Sequence, residues 1–275
     1  MPTFTLLNLR RMKVILKCFL ALVAAITLFS CKKDNSISDK YVLTQMTLSS
    51  EEREQLFTFQ YDDQGRVTRA TEDMKNVITM YLTYSYEQNT ITRLMLLDLS
   101  KPDVWDTKTV FTLDNTGRVV KSVEEETQKT RFYTYSPDGF LVKVTDGENV
   151  ISEYHWKNNS LEQITYGEGG TATITYSDKV SLGLYSPISN SDRDEYLGRL
   201  GYYGKNSRLL PAKVERTLPG GINAYTVEYE YSSFDGNGRL TGYKQATHIT
   251  VGTFDKVTTN TYKLTWSKLV DANLQ

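Results

Sequence analysis

Phe57-Thr58-Phe59-Gln60-Tyr61-Asp62-Asp63-Gln64-Gly65-Arg66-Val67 is the stretch whose reading decides the architecture. An alternating aromatic run meets an Asp/Gly turn, and a second alternating run leaves it. The phrase returns at Phe111 to Val119 around Asp114-Asn115-Thr116-Gly117-Arg118, at Tyr133 to Leu141 around Ser136-Pro137-Asp138-Gly139, and at Tyr229 to Leu240 around Asp235-Gly236-Asn237-Gly238-Arg239. Two alternating runs joined by such a turn spell a β-hairpin. Gly after Asp or Asn supplies the positive-φ residue these loops need. The basic residue after the turn is expected to be an exposed strand residue.

Outward from these copies the same alternation continues. Ile78, Met80, Leu82, Tyr84 and Tyr86 share one face, with Thr79, Thr83 and Ser85 opposite. Tyr225, Val227, Tyr229 and Tyr231 oppose Thr226, Glu228 and Glu230, and Tyr262, Leu264 and Trp266 end the series. Turns are expected near residues 64, 88, 116, 138, 158, 178 and 236. Period-two alternation specifies an antiparallel sheet with one wet face. Hairpins repeated in this way bury their apolar faces on one another. The expectation is an all-β meander of hairpins curled into an open or partial barrel, over residues 41–275. Its outward Thr, Glu, Lys, Arg and Gln are unlike the apolar band of a membrane barrel, so the sheet should face water.

One segment interrupts the rhythm. Tyr185 to Leu210 holds Pro187, Asn190, Ser191, Asp192, Gly198, Gly201 and Gly204. A short helix is expected over Asp192 to Leu200, N-capped by Ser191 or Asp192. A long irregular insertion in a sheet protein serves as a plug, a cap or a binding loop. Tyr185, Tyr196, Tyr202 and Tyr203 are therefore the candidate ligand contacts.

The N-terminus addresses the compartment. Met12-Lys13 is a more natural start than Met1, and Val14 to Phe29 is apolar apart from Lys17 and Thr27. That run falls short of the roughly 20 apolar residues of a membrane span, and its charged start and small-residue end describe an export signal. Leu28-Phe29-Ser30-Cys31 then resembles a bacterial lipobox. The resemblance implies removal of residues 1–30, acylation of Cys31 with chains such as palmitate, and a flexible polar tether over 31–40. Two acyl chains hold a protein firmly to a bilayer where one does not. Cys18 lies in the signal, so the remainder has no thiol for a disulfide or a metal.

Residues 1–30 hold four basic residues and no acid in a chain of net charge −1, which leaves −5 on the rest. No clustered basic face is expected, which argues against nucleic acid as a partner. His155 and His248 fall on the polar faces of their strands and nothing pairs them in sequence. Asp235-Gly236-Asn237-Gly238 lacks the downstream acid of a calcium loop. Gly167-Glu168-Gly169-Gly170 lacks the Lys-Ser/Thr of a phosphate loop. No metal, cofactor or catalytic residue is expected.

The Tyr-x-Tyr-Asp-x-x-Gly-Arg phrase resembles the YD repeat of Rhs-type shells. The whole order, with Leu210-Pro211-Ala212-Lys213-Val214 after the irregular stretch and a last Tyr-rich hairpin, resembles Bacteroidetes lipoproteins whose domain of unknown function has a porin-like fold. The resemblance implies an outer-membrane-anchored lipoprotein and brings no known activity. Three functions are compatible. The first is a non-catalytic module binding a glycan, peptide or protein at the open sheet end. The second is a half-barrel carrier of lipid. An enzyme comes last.

Overall fold

The computed structural model describes residues 40–75, 77–97, 106–180, 194–251 and 254–269. The chain divides into two units at Asp39/Lys40. The export signal, Cys31 and Tyr185 lie outside the described residues.

Residues from Tyr41 form sixteen strands: β1 (Tyr41–Ser49), β2 (Glu54–Tyr61), β3 (Val67–Met74), β4 (Ile78–Tyr86), β5 (Thr90–Leu96), β6 (Thr107–Leu113), β7 (Val119–Glu124), β8 (Lys129–Tyr135), β9 (Leu141–Asp146), β10 (Asn149–Lys157), β11 (Ser160–Tyr166), β12 (Thr171–Val180), β13 (Leu209–Thr217), β14 (Asn223–Phe234), β15 (Leu240–Val251) and β16 (Phe254–Lys268). Each pairs antiparallel with its sequence neighbours. The turn expected near residue 178 is absent, because Asp178 lies within β12.

The sheet is not open. β1 pairs with β16 from Tyr41↔Lys268 to Ser49↔Thr261, so the meander is a closed sixteen-strand barrel. The two edges of an open meander would expose unpaired N–H and C=O groups, and closure removes both. This corrects the expected open or partial barrel, including the half-barrel shape of the carrier reading. The expected alternation holds. Thr226, Glu228 and Glu230 point outward opposite His248, Ala246 and Lys244, while Tyr225, Val227, Tyr229 and Tyr231 pack against the interior cluster. Fully buried Ile91, Val119, Val144, Leu161 and Ile164 line the same interior.

The turns after even-numbered strands form one rim, here the near rim. Lys40 and Leu269 meet there, with the Leu269 N–H donating to the Lys40 carbonyl at 2.8 Å. The turns after odd-numbered strands form the far rim.

Three of the four copies of the phrase close their near-rim turns by one device. In the first copy Asp62 Oδ1 accepts the N–H of Gln64 at 3.0 Å and of Arg66 at 2.9 Å, and Asp62 Oδ2 accepts Arg66 Nε at 2.6 Å. Gly65 turns the chain at φ 74°. Asp114 and Asp235 repeat the arrangement with Arg118 and Arg239. The basic residue is thus a partly buried clamp rather than an exposed strand residue. Its guanidinium also lies over a tyrosine ring: Arg66 at 4.4 Å from the centroid of Tyr86, Arg118 at 4.6 Å from Tyr135, Arg239 at 3.6 Å from Tyr41. A guanidinium held there by its own turn gains a cation–π contact at little entropic cost.

The aromatic at the near-rim end of the strands has a second task. Tyr61, Tyr86, Tyr135, Tyr176 and Tyr231 donate their hydroxyls, and Trp156 and Trp266 their indole N–H, to the carbonyls of Leu43, Val67, Val119, Leu161, Pro211, Leu141 and Leu240 in turn, at 2.6–2.9 Å. Each acceptor precedes a register shift: Thr44, Thr68, Val120, Glu162, Ala212, Val142 and Thr241 are the extra residues. A bulge takes a carbonyl out of the ladder, and a buried carbonyl needs a donor. β5 pairs with β4 without a shift, and there the following even strand, β6, ends in Leu113 instead of Tyr or Trp. At the near-rim start of the odd-numbered strands, among the described residues, this bulge and this aromatic donor occur together.

Candidate functional site

A sixteen-strand barrel is wide enough for an open channel. Here residues 194–208, between β12 and β13, fill part of the lumen. Its helix α1 (Glu195–Arg199) is capped by Asp194, whose Oδ1 accepts the Leu197 N–H at 2.9 Å. The expected helix was longer and its expected caps, Ser191 and Asp192, lie outside the described residues. Asp194 is placed by the barrel as well as by the helix. Its Oδ2 accepts Tyr84 Oη at 2.9 Å and Arg93 Nη1 at 3.0 Å, and its own N–H donates to Tyr203 Oη at 3.1 Å. Burial followed by the Asp194 charge pushes the Tyr84 hydroxyl well above the ordinary tyrosine range.

Beyond Asp194, Leu197 is fully buried, and the Tyr196 ring meets Phe59 edge-on at 5.4 Å. Arg199 pairs with Glu195 one turn back. Past the helix, Gly204 (φ 81°) bridges Phe140, and a Cβ there would stand 2.4 Å from the Gly139 carbonyl oxygen. Tyr203 packs on Tyr133 at 5.1 Å, and Tyr202 stacks on Tyr86 at 6.2 Å. Ser207 Oγ accepts the Leu161 N–H at 3.2 Å. The plug is therefore stitched to strands on several sides of the barrel.

The plug separates two cavities. The near-rim cavity, about 290 Å³, lies between α1 and Leu43, Phe59, Tyr61, Val67 and Trp266. The far-rim cavity is larger, about 370 Å³. Its floor is Glu195, Tyr196 and Arg199. Its walls carry Phe57, Tyr166, Tyr225, Tyr229, Tyr243 and Tyr262 together with Gln245, Thr247 and Asn260, and Arg53 stands with them on the far-rim turn. Tyr243 and Tyr262 stack in parallel at 4.4 Å. Burial raises the Tyr262 hydroxyl above the ordinary tyrosine range.

Of the expected ligand contacts, Tyr196 borders both cavities, with its hydroxyl bound to Glu72. Tyr203 is buried within the plug network, and Tyr202 sits at the near rim against Tyr86. Sequence reasoning missed the far-rim residues. A signal existed: Gln245, Thr247 and Asn260 are polar residues on the inward parity of Tyr243 and Tyr262. His155 and His248 are exposed on the outside, bonded to Thr165 and Asp255. Among the described residues no three His, Cys, Asp or Glu side chains are grouped so as to hold a metal ion.

These features define a class: a closed, antiparallel sixteen-strand barrel with a helical plug from its own chain. The solved structure of a porin-like protein from Bacteroides uniformis ATCC 8492 shares the fold, with TM-score 0.61 at 15% identity over 82% of this chain and 98% of that one. A porin-like protein from Bacteroides vulgatus ATCC 8482 does so with TM-score 0.50 at 16% identity and the same coverages. The porin-like fold implied by the order of hairpins, irregular stretch and last Tyr-rich hairpin is thus found, as a likeness of fold. No family model and no curated protein matches the chain.

Proposed function

We propose that this chain is an outer-membrane lipoprotein, tethered through acylated Cys31, whose water-facing barrel is a non-catalytic binding module taking a small polar ligand in the far-rim cavity. The observation that carries the reading is the polarity of the wall. Gln45, Thr58, Thr173, Glu228, Lys244 and Thr261 face outward while aromatic and aliphatic side chains fill the lumen. A barrel that spans a bilayer needs the reverse, an apolar outer band, and a charge at mid-membrane costs about 2–4 kcal/mol. Outward ion pairs such as Lys143–Glu153, at 2.7 Å, suit water.

The chain enters the barrel at Lys40, on the near rim, and the larger cavity lies at the opposite end. The lipid-carrier reading is weaker, because α1 interrupts the lumen and the larger cavity carries Asn, Gln, Glu and Arg side chains, which an acyl chain would desolvate without compensation.

Palmitate labelling of cells expressing the wild type and Cys31→Ser, followed by membrane fractionation, tests the anchor. The wild type should take up label and sediment with membranes, and the variant should take up none and become soluble after export. A Cys31→Ser protein that still needs detergent for extraction would mean that the barrel itself sits in the bilayer, and the reading would fall.

A further inference from the structure

We infer that the far-rim cavity is a saccharide site that prefers an acidic sugar, a reading that rests on the binding-module function above and names its ligand class. Two independent observations point there. The first is Asn260. It is 9% exposed, it lines the cavity, and its Oδ1 has no hydrogen-bond partner among the described residues. A buried acceptor without a partner is unfavourable and rare, and Asn260 borders the cavity, so a ligand hydroxyl that reached it would supply the missing donor. Gln245 stands directly across the ladder from Asn260 and lines the same space, which adds a second amide at hydroxyl spacing.

The second observation is Arg53. It stands on the far-rim turn among the lining residues. Two of its three acidic neighbours pair elsewhere: Glu52 with Lys256 at 2.9 Å and Glu54 with Lys75 at 3.0 Å. No ion pair to Arg53 occurs among the described residues, whereas the floor guanidinium of Arg199 is neutralised by Glu195. The cavity thus has at its mouth a guanidinium that no carboxylate pairs directly among the described residues. A planar guanidinium matches a carboxylate in two-point geometry.

Between amides and guanidinium runs the tyrosine wall. Ring faces accept the C–H faces of a sugar while their hydroxyls stay polar. At about 370 Å³ the cavity is at the low end of ligand sites, about 300–1,000 Å³, which suits a short saccharide better than a long chain.

Titration calorimetry on the detergent-solubilised full-length protein, with glucuronic acid, galacturonic acid, glucose, galactose and laurate as probes, decides the matter. At least one uronic acid should bind about tenfold more tightly than its parent hexose, the equivalent of a single good hydrogen bond or ion pair. Arg53→Gln, an exposed substitution that leaves the core intact, should erase the preference. Asn260→Ala should weaken uronate and hexose alike by about tenfold. Circular dichroism melting of each variant confirms that it is folded. Equal binding of uronic acids and hexoses, or a preference untouched by Arg53→Gln, overturns the acidic-sugar assignment. Binding of laurate alone overturns the saccharide site and leaves a binding module of another kind. A protein that holds none of the probes overturns the saccharide site, and anchoring by Cys31, tested separately, stands or falls on its own.

Discussion

The hydroxyl of Tyr196, on the plug, donates to Oε1 of Glu72, on β3, at 2.6 Å inside the barrel. One hydrogen bond joins the helix to the wall across 124 residues of sequence. Burial raises the Glu72 carboxyl above its ordinary value of 4.5, against the opposing effect of the Tyr196 bond. The folded protein therefore holds a proton that the unfolded chain has released. This contribution to stability is complete below about pH 4.5 and is lost as pH rises through the raised value. Glu72→Gln keeps an oxygen for Tyr196 and has nothing to titrate. Its urea midpoint should lose this fall with rising pH, and an unchanged pH profile would contradict the assignment.

Asp114 bears on the opposite limb. Burial opposes its charge, but the N–H groups of Arg118 and Thr116, the Thr116 hydroxyl and the Arg118 guanidinium outweigh it and hold the carboxyl at about 2. Its stabilising effect is present above 3.8 and disappears as pH falls toward 2. Asp114→Ala should cost about 1–2 kcal/mol at neutral pH, as for loss of hydrogen bonds to a charged acceptor. The penalty, measured by urea unfolding, should shrink in acid.

Tyr135→Phe leaves ring and cation–π contact in place and removes the donor to the Val119 carbonyl. An orphaned carbonyl beside a bulge should cost about 1–3 kcal/mol. Leu113→Tyr is the control. β5 has no bulge, so the new hydroxyl has no freed carbonyl to meet, and equilibrium unfolding should show no gain.

Asp194→Ala should be the most damaging substitution in the plug. It removes the helix cap and leaves Arg93 facing Tyr84 with its ionic partner gone. Breaking a buried pair from one side costs about 3–5 kcal/mol. Asp194→Asn restores a cap without the charge and should recover only part of the loss in thermal melts.

What was legible in the chain was local. Alternation of Tyr225, Val227 and Tyr229 with Thr226 and Glu228 placed one face inward, and Asp62 with Gly65 placed a turn. Closure was not legible, because Tyr41 and Lys268 pair through a register that no local pattern records. The arginine clamp was missed because Arg66 in an alternating run looks like any outward residue, and only the turn geometry brings it back to Asp62. The helix was expected, but its cap depends on Tyr84 and Arg93, far away in sequence. Asn260 was passed over because a polar residue among threonines looks solvated, and counting parity from Tyr262 would have turned it inward.

Closure of the ring by β1 and β16 has one more consequence. With Leu269 hydrogen-bonded to Lys40, the order of strands around the barrel no longer depends on where the polypeptide starts. A circular permutant that joins residue 269 to residue 40 and opens at the exposed Gly147-Glu148 turn keeps every ladder. It should fold to the same barrel, because opening and joining sites of this kind are the tolerated ones.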